Sequence, residues 1–440
     1  MTYDLLITGG TIVNHDGIGP ADVAITDGRI VAIGDLARAS AGQKLDATGL
    51  HVLPGVIDTQ VHFREPGSEA KEDLQTGSRA AVLGGVTAVF EMPNTNPTTS
   101  TVEAIQDKVK RAKGRMHCDH AFYAGATNEN SKDLPDLERT PGCCGIKVFM
   151  GASTGSLLVA DDEGLAKVLA NITRRAAFHS EDEPRMQSRQ HLAVPGDWAS
   201  HPVVRDAESA MISTRRLVRL ARKAGKRIHV LHISTAEEIE YLAQHRDVAT
   251  VEVTPQHLTL QSPDCYEQLA GKAQMNPPIR SRRHKMGLWA GIRNGLVDVI
   301  GSDHAPHLAE EKAKPYPNSP SGMPGVQTLV PILLDHVAKN RLSLGRFVDL
   351  TSAGANRIFG IAGKGRMAVG YDADFTLVDL KAKRTITDEW IASKSKWTAF
   401  AGREVTGWPM ATIIRGQIVM QDDEVIAEGL GAPIRFQEQL

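Results

Sequence analysis

The chain has 440 residues, 41% of them hydrophobic, and a formal net charge of −2. That length allows about three average domains or one long α/β barrel unit, and the small net charge argues against a nucleic-acid or polyanion binder. Cys118, Cys143, Cys144 and Cys265 form no CxxC pair, so neither a zinc knuckle nor a disulfide framework is suggested.

The first residues lack the basic, apolar pattern of a signal peptide. No uncharged stretch approaches the ~20 residues of a membrane span. Reduced thiols and a cytoplasmic location are the expectation. Residues 1–54 read as short strands and tight turns, with Asp27-Gly28 between two alternating runs as a hairpin signal. The C-terminal end has the same texture: Asp374-Phe375-Thr376-Leu377-Val378 and Thr412-Ile413-Ile414 read as strands, with Arg415-Gly416 as a turn. The two ends, 1–54 and 361–440, are expected to form one composite β-sandwich domain beside a central domain at 55–360.

The central stretch alternates strand and helix. After an opening strand from Gly55, strands are expected at 86–92, 117–124, 145–150, 176–180, 227–233, 249–253 and 298–302. Helices are expected at 101–112, at 161–174 with acids first and bases last, and at 207–223. Eight strands with helical crossovers predict a (β/α)8 barrel. The alternative is an open doubly wound sheet, but no GxGxxG follows an early strand. The segment 308–324, with four prolines, is long for an α/β connection and is a candidate lid.

Active sites of such barrels gather at the strand C-termini. The opening strand ends Asp58-Thr59-Gln60-Val61-His62-Phe63-Arg64, and strand alternation puts Asp58, Gln60, His62 and Arg64 on one face. The second strand runs into Met92-Pro93-Asn94-Thr95, and the fourth carries Lys147. The fifth ends in His179-Ser180-Glu181, the sixth in His232, and the eighth in Ser302-Asp303-His304-Ala305-Pro306-His307. One such histidine is ordinary, whereas three His, an Asp and a Lys at equivalent strand ends point to a site. Imidazole with mixed oxygen ligands suits a hydrolytic Zn²⁺ site. An ammonium inside an apolar strand is costly to bury. Lys147 therefore either pairs with a carboxylate or loses its proton, and a neutral amine can add CO₂ to form a carbamate that bridges metals. His304 is expected to point away from Asp303, and Cys144, three before Lys147, to point away from the barrel interior as core. His257, past the seventh strand, reads as packing, and His117, His120 and His229 sit early in their strands.

These residues resemble the cyclic amidohydrolases. Within that group, His62-Phe63-Arg64-Glu65-Pro66-Gly67, Met92-Pro93-Asn94-Thr95, Met275-Asn276-Pro277-Pro278-Ile279-Arg280 and Met323-Pro324-Gly325 resemble the dihydroorotase family over nearly the whole chain. The resemblance implies one zinc on His62 and Asp303, a second on His179 and His232, and a carboxylated Lys147 bridging them. It implies that Asp303 shuttles a proton while metal-bound hydroxide opens the ring amide of dihydroorotate. The reverse reaction closes N-carbamoyl-L-aspartate in pyrimidine biosynthesis. Arg64 would grip the substrate carboxylate, with Asn94 and His307 completing the grip; its alternative is an ion pair with Glu65 or Glu69. Asn276 and the backbone at Pro324 and Gly325 would bind the ring amides. A homodimer is expected, and aspartate transcarbamoylase is a candidate partner.

The chain departs from the family where Gln60 stands at a position usually held by histidine. An amide oxygen is a poorer zinc ligand than imidazole. One tightly held zinc is expected, with the occupancy of the second site left open. The departure keeps two alternatives in view: a non-catalytic partner of aspartate transcarbamoylase, and a hydantoinase-like or allantoinase-like ring opener.

Overall fold

The computed structural model describes residues 2–152 and 157–439. Eight parallel strands follow one another round a nearly closed barrel: Val56–Val61, Val86–Glu91, Asp119–Gly125, Cys143–Phe149, Ala176–His179, Ile228–Val230, Ala249–Val253 and Val299–Ile300. Their residues are buried on both faces, as in a sheet covered by helices. The last strand has no regular ladder to the first. The seam is closed by a parallel bridge between Val61 and His304, with the His62 amide donating to the His304 carbonyl at 2.7 Å. Lower down, the Ser302 amide donates to Asp58 Oδ1 at 2.9 Å, so a side chain replaces a ladder bond.

Small residues inside the barrel (Ala88, Ala121, Ala177) leave space that aromatic side chains fill from below. Phe359 lies 5.0 Å and Phe436 5.9 Å from the Phe90 ring, both edge-on. The chain's last residues thus plug the barrel's base, and chemistry is confined to the other mouth.

Both chain ends contribute to the remaining sheets. Arg29–Gly34, Asp22–Thr26, Tyr3–Thr8 and Ala41–Asp46 make a four-stranded sheet. A seven-stranded sheet joins Glu424–Val425, Gln417–Gln421, Glu404–Ile414 and Phe375–Thr385 to His51–Pro54, Thr11–Asn14 and Gly17–Pro20. The Asp27-Gly28 turn has positive φ at both residues (50° and 71°), as a two-residue hairpin of that hand needs. Among the described residues no helix is long and apolar enough to cross a membrane.

The helices expected from sequence start at their caps. Thr101 Oγ1 accepts from the Ala104 amide, Asp161 Oδ1 from Gly164 and Asp206 Oδ1 from Ser209. The helix expected at 161–174 ends earlier, at Asn171. Ile172 leaves helical geometry (ψ 141°) to bury itself completely, and Arg174 turns away to donate to the carbonyls of Glu138, Cys143 and Phe359. Cys144 also differs from expectation. It packs inside the barrel with Ile57, Ala121 and Ala177, because the pairing slips by one residue between Cys143 and Gly145. Such a bulge reverses the side-chain parity of everything before it. Gly145 sits at φ 146°, where a side chain would be strained.

The segment 308–324 includes a short helix, Ala309–Lys312. Its buried Lys312 ammonium donates to three carbonyls, of Gln274 (2.9 Å), Pro320 (2.7 Å) and Gly322 (2.8 Å). Trp198 Nε1 donates to Ser319 Oγ at 2.9 Å. The candidate lid is therefore fastened to the barrel wall at both ends of its course.

Candidate active site

The first strand's end delivers Gln60 and His62 to the same partner. Gln60 Nε2 lies 2.9 Å and His62 Nε2 3.2 Å from Asp303 Oδ1, and His62 Nδ1 is 2.8 Å from Asn94 Oδ1. Val61 and Phe63 face the other way, and Phe63 packs edge-on against His304 at 5.6 Å. Asp58, placed in the same row by alternation, is used at the barrel seam. Its burial raises its pKa to about 7 against the hydrogen bonds from Ser302. Asp303 itself has φ 47° and His232 φ 36°, positive values uncommon outside glycine and frequent at functional sites.

Across the mouth, His179 Nδ1 and His232 Nε2 stand 3.0 Å apart. His179 is oriented from behind: its Nε2 lies 2.9 Å from Glu181 Oε2, and Arg205 holds Glu181 with Nε at 3.2 Å from Oε1 and a second, shorter contact. Burial would raise the Glu181 pKa, but the Arg205 charge and His179 keep it below the usual carboxylate range. Burial lowers the pKa of both histidines, so both rings are neutral near pH 7. With its other nitrogen on Glu181, His179 turns a lone pair towards His232.

Lys147 lies between the two groups. Its charge is felt by His62, His179 and His232. Among the described residues no carboxylate is within ion-pair distance of its ammonium, which stands 4.6 Å from the Phe149 ring centre. Burial pushes its pKa down to about 7, opposed by the more distant charges of Asp303 and Glu252. The pairing of Lys147 with a carboxylate, one of its two expected fates, is not what the structure has.

Arg64 adopts φ 63° and turns its side chain inward, 6% exposed. Nε donates to the Pro306 carbonyl at 3.2 Å and one Nη lies 3.3 Å from His307 Nε2. Neither Glu65 nor Glu69 is its partner: Glu65 is taken by Arg115 (2.7 and 3.0 Å), and Glu69 accepts from the Gly67 amide. Burial lowers the Arg64 pKa to about 10, which leaves it charged at pH 7.

His307 Nδ1 is 3.2 Å from Lys71 Nζ, which also pairs with Glu311 at 2.9 Å, and its Nε2 reaches the Ser321 carbonyl at 3.1 Å. An ammonium only donates and a carbonyl only accepts, which puts the His307 proton on Nε2 and makes the Arg64 Nη at 3.3 Å a neighbour of that nitrogen and not a hydrogen-bond donor to it.

On the remaining wall, Asn276 Oδ1 takes His201 Nε2 at 3.0 Å. The Gly325 amide donates to His304 Nδ1 at 3.1 Å, and its carbonyl takes Thr328, so Gly325 is engaged with the barrel rather than turned to a ligand. Pro324 precedes it at the same rim.

Two halves of the site differ in their fit to a metal. Two nitrogens on one tetrahedral zinc, each at about 2.05 Å, stand about 3.3 Å apart. His179 and His232 are close to that spacing, and each would offer its own lone pair to the ion with the His232 proton on Nδ1, which has no hydrogen-bond partner among the described residues. Among the described residues no three His, Cys, Asp or Glu side chains form a metal-holding group, so a third protein donor for this pair has to come from Lys147. The other half offers His62 and Asp303, but Gln60 turns its N–H, which has no lone pair to give, toward Asp303. This half does not fit a second ion.

The model of the amidohydrolase family matches residues 51–419. The chain belongs to the amidohydrolase family. Among its amidohydrolase relatives is the dihydroorotase of Methanosarcina acetivorans, 35% identical over 97% of this chain and 94% of that one. The L-hydantoinase of Paenarthrobacter aurescens is 32% identical over 97% and 96%. Among solved amidohydrolase structures, an L-hydantoinase (dihydropyrimidinase) from Arthrobacter aurescens superposes with a TM-score of 0.95 at 31% identity, covering 98% of this chain and all of that one.

Sequence reasoning overlooked Glu181, Arg205 and Lys71. Glu181 could have been found, since it follows His179 by two and so shares its face. Arg205 lies in a run of short helical turns with no periodic signal, and only the fold brings it to Glu181.

Proposed function

We propose that this amidohydrolase is a dihydroorotase, interconverting N-carbamoyl-L-aspartate and (S)-dihydroorotate in pyrimidine biosynthesis. The observation that carries the reading is Arg64: a buried guanidinium at the site's mouth with no carboxylate partner among the described residues. A buried charge is stable only when paired, and the carboxylate beside the dihydroorotate ring would pair with it bidentately. Hydantoin offers no such group. The full-length likeness to dihydroorotases supports the same substrate.

Lys147, His179 and His232 would hold a zinc ion, Lys147 through the oxygens of its carbamate. An ammonium cannot be a ligand, and a pKa near 7 leaves much of the amine free to react with CO₂. When bound, the ion polarises the amide carbonyl and acidifies water. The chain's own residues do the rest. Arg64 anchors the substrate carboxylate and so fixes which ring amide faces Asp303. Asp303 takes a proton from the attacking water and returns it to the leaving nitrogen. Asn94 steadies His62, Asn276 and Pro324 line the ring, and His307 backs Arg64 while bonded to Ser321. Residues 55–360 would form the catalytic domain and 1–54 with 361–440 the composite β domain. Aspartate transcarbamoylase and a second copy of the chain remain its candidate partners.

The second reading is a hydantoinase, favoured by the close superposition on an L-hydantoinase. Turnover of dihydroorotate and of hydantoin by the purified chain separates them. Dihydroorotate is expected to be the better substrate, and hydantoin turnover without dihydroorotate turnover would remove the proposal. Arg64→Met should lower kcat/KM for dihydroorotate by roughly 30-fold or more, as losing one partner of a buried charge pair costs about 2–5 kcal/mol.

A further inference from the structure

Gln60 is the residue that sets this chain apart from the pattern it otherwise follows, and its surroundings assign it a task. Its side chain is 1% exposed. Nε2 lies 2.9 Å from Asp303 Oδ1, while Oε1 is buried with no hydrogen-bond partner. The orientation is dictated by chemistry: an ionised carboxylate only accepts, so the amide must present its N–H₂ to Asp303. The amide nitrogen has no lone pair for an ion, and the oxygen that has one is turned away. His62 Nε2 reaches the same Asp303 oxygen at 3.2 Å. The ring's Nδ1 faces another acceptor, Asn94 Oδ1, at the shorter distance of 2.8 Å, so the imidazole proton is not free to be assigned to Asp303. Asp303 Oδ1 thus takes a hydrogen bond from the Gln60 amide, with the His62 ring on the same oxygen.

We propose that Gln60 is a hydrogen-bond donor that aims Asp303, not a metal ligand, and that the chain works with a single ion held by Lys147, His179 and His232. The inference deepens the dihydroorotase reading and rests on its metal assignment. Where the family's pattern has a second ion to hold the aspartate, here a carboxamide holds it. Asp303 stays fixed, with its Oδ1 2.9 Å from the Gln60 amide nitrogen, without being bound to a cation. Gln60 is accordingly a positioning residue, acting through Asp303.

The test counts ions rather than turnover alone. The full chain and two variants, Gln60→His and Gln60→Leu, are loaded with excess zinc, freed of loose ion by gel filtration, and assayed for zinc per chain. Cobalt-loaded samples are examined by electron paramagnetic resonance, which distinguishes isolated from coupled ions. Wild type should hold one ion per chain with an isolated-ion signal, and Gln60→His two, with the signal coupled. Gln60→Leu should still hold one ion, with KM unchanged and kcat down by about 10- to 100-fold, as expected for a misplaced group. Two tightly held ions in wild type, a Gln60→His chain that stays at one, or loss of the ion in Gln60→Leu would each overturn the assignment. A wild type holding no zinc while Gln60→His holds none either would instead strike the metal reading beneath it.

Discussion

At the scale of a residue, the decisive feature is an amine with no counter-ion among the described residues. Lys147 is completely buried, and burial alone outweighs the distant pull of Asp303 and Glu252, bringing its pKa to about 7. A group at that value is roughly nine-tenths protonated at pH 6 and nine-tenths neutral at pH 8. Only the neutral amine adds CO₂. Protein stripped of metal and CO₂ at low pH, then given zinc under the same CO₂ pressure at each pH, should therefore regain activity several-fold faster at pH 8 than at pH 6. An equal rate at the two pH values would show that the neutral amine is not limiting. The residue's importance was legible in the sequence, because a lysine in an apolar strand has to be explained. What was not legible is which explanation applies, since that depends on whether a carboxylate from another strand comes within reach. Arg64 is the same case: Glu65 is its neighbour in sequence, yet Arg115, fifty residues on, takes that carboxylate.

At the scale of an element, strand alternation and cap residues were good guides as long as the pairing stayed regular. Eight strands and three capped helices were readable because each is encoded within a few residues of itself. Cys144 shows the limit: a one-residue slip against the neighbouring strand turned it inward, and nothing in its own strand records that slip. The segment 308–324 gave a length but no anchor. Its anchor is Lys312, whose three carbonyl acceptors come from the segment's own end and from Gln274. Lys312→Met removes all three bonds; the Gln274 carbonyl keeps the Gly322 amide, while the Pro320 and Gly322 carbonyls lose their donor, each costing about 1–3 kcal/mol. Amide hydrogen exchange across 308–324 should then speed up by at least tenfold while the barrel strands keep their protection. Unchanged exchange there would mean that the segment's other bonds, among them Trp198 to Ser319 and the Gly196 amide to the Tyr316 carbonyl, fasten it without Lys312.

At the scale of the whole molecule, one buried charge cluster joins the barrel's base to both chain ends. Lys364 Nζ lies 2.7 Å from Asp119, which opens the third barrel strand, 3.1 Å from Asp372, and in closer contact with Asp374 at the start of a long C-terminal strand. Arg415 also grips Asp119, Arg29 of the N-terminal sheet reaches Asp372 at 2.7 Å, and the Ala432 amide donates to Asp119 at 2.9 Å. The aromatic plug that follows Ala432 is thereby tied to the strand it supports. Burial would raise the Asp119 pKa, but Lys364 and Arg415 lower it, and burial would lower that of Lys364, but the three carboxylates raise it. The signs follow by linkage. The Asp119 contribution is complete above its unfolded value of about 3.9 and is lost as pH falls through the lower folded value. The Lys364 contribution is complete below about 10.4 and is lost as pH rises through the higher folded one. Between those limits the Asp119 and Lys364 contributions are both complete, whereas burial raises the pKa of Asp374, so its protonation as pH falls favours the folded state. Lys364→Met leaves three buried carboxylates short of a cation and should cost about 3–5 kcal/mol at pH 7, as breaking buried ion pairs does. Those carboxylates then bind protons more readily, so the loss should shrink as pH falls towards 5. Urea unfolding of both proteins at pH 7 and pH 5 tests this. A loss below about 1 kcal/mol, or one that does not narrow at pH 5, would mean that aromatic packing and backbone bonds, such as the Ile434 amide to the His120 carbonyl, hold the plug without the charges.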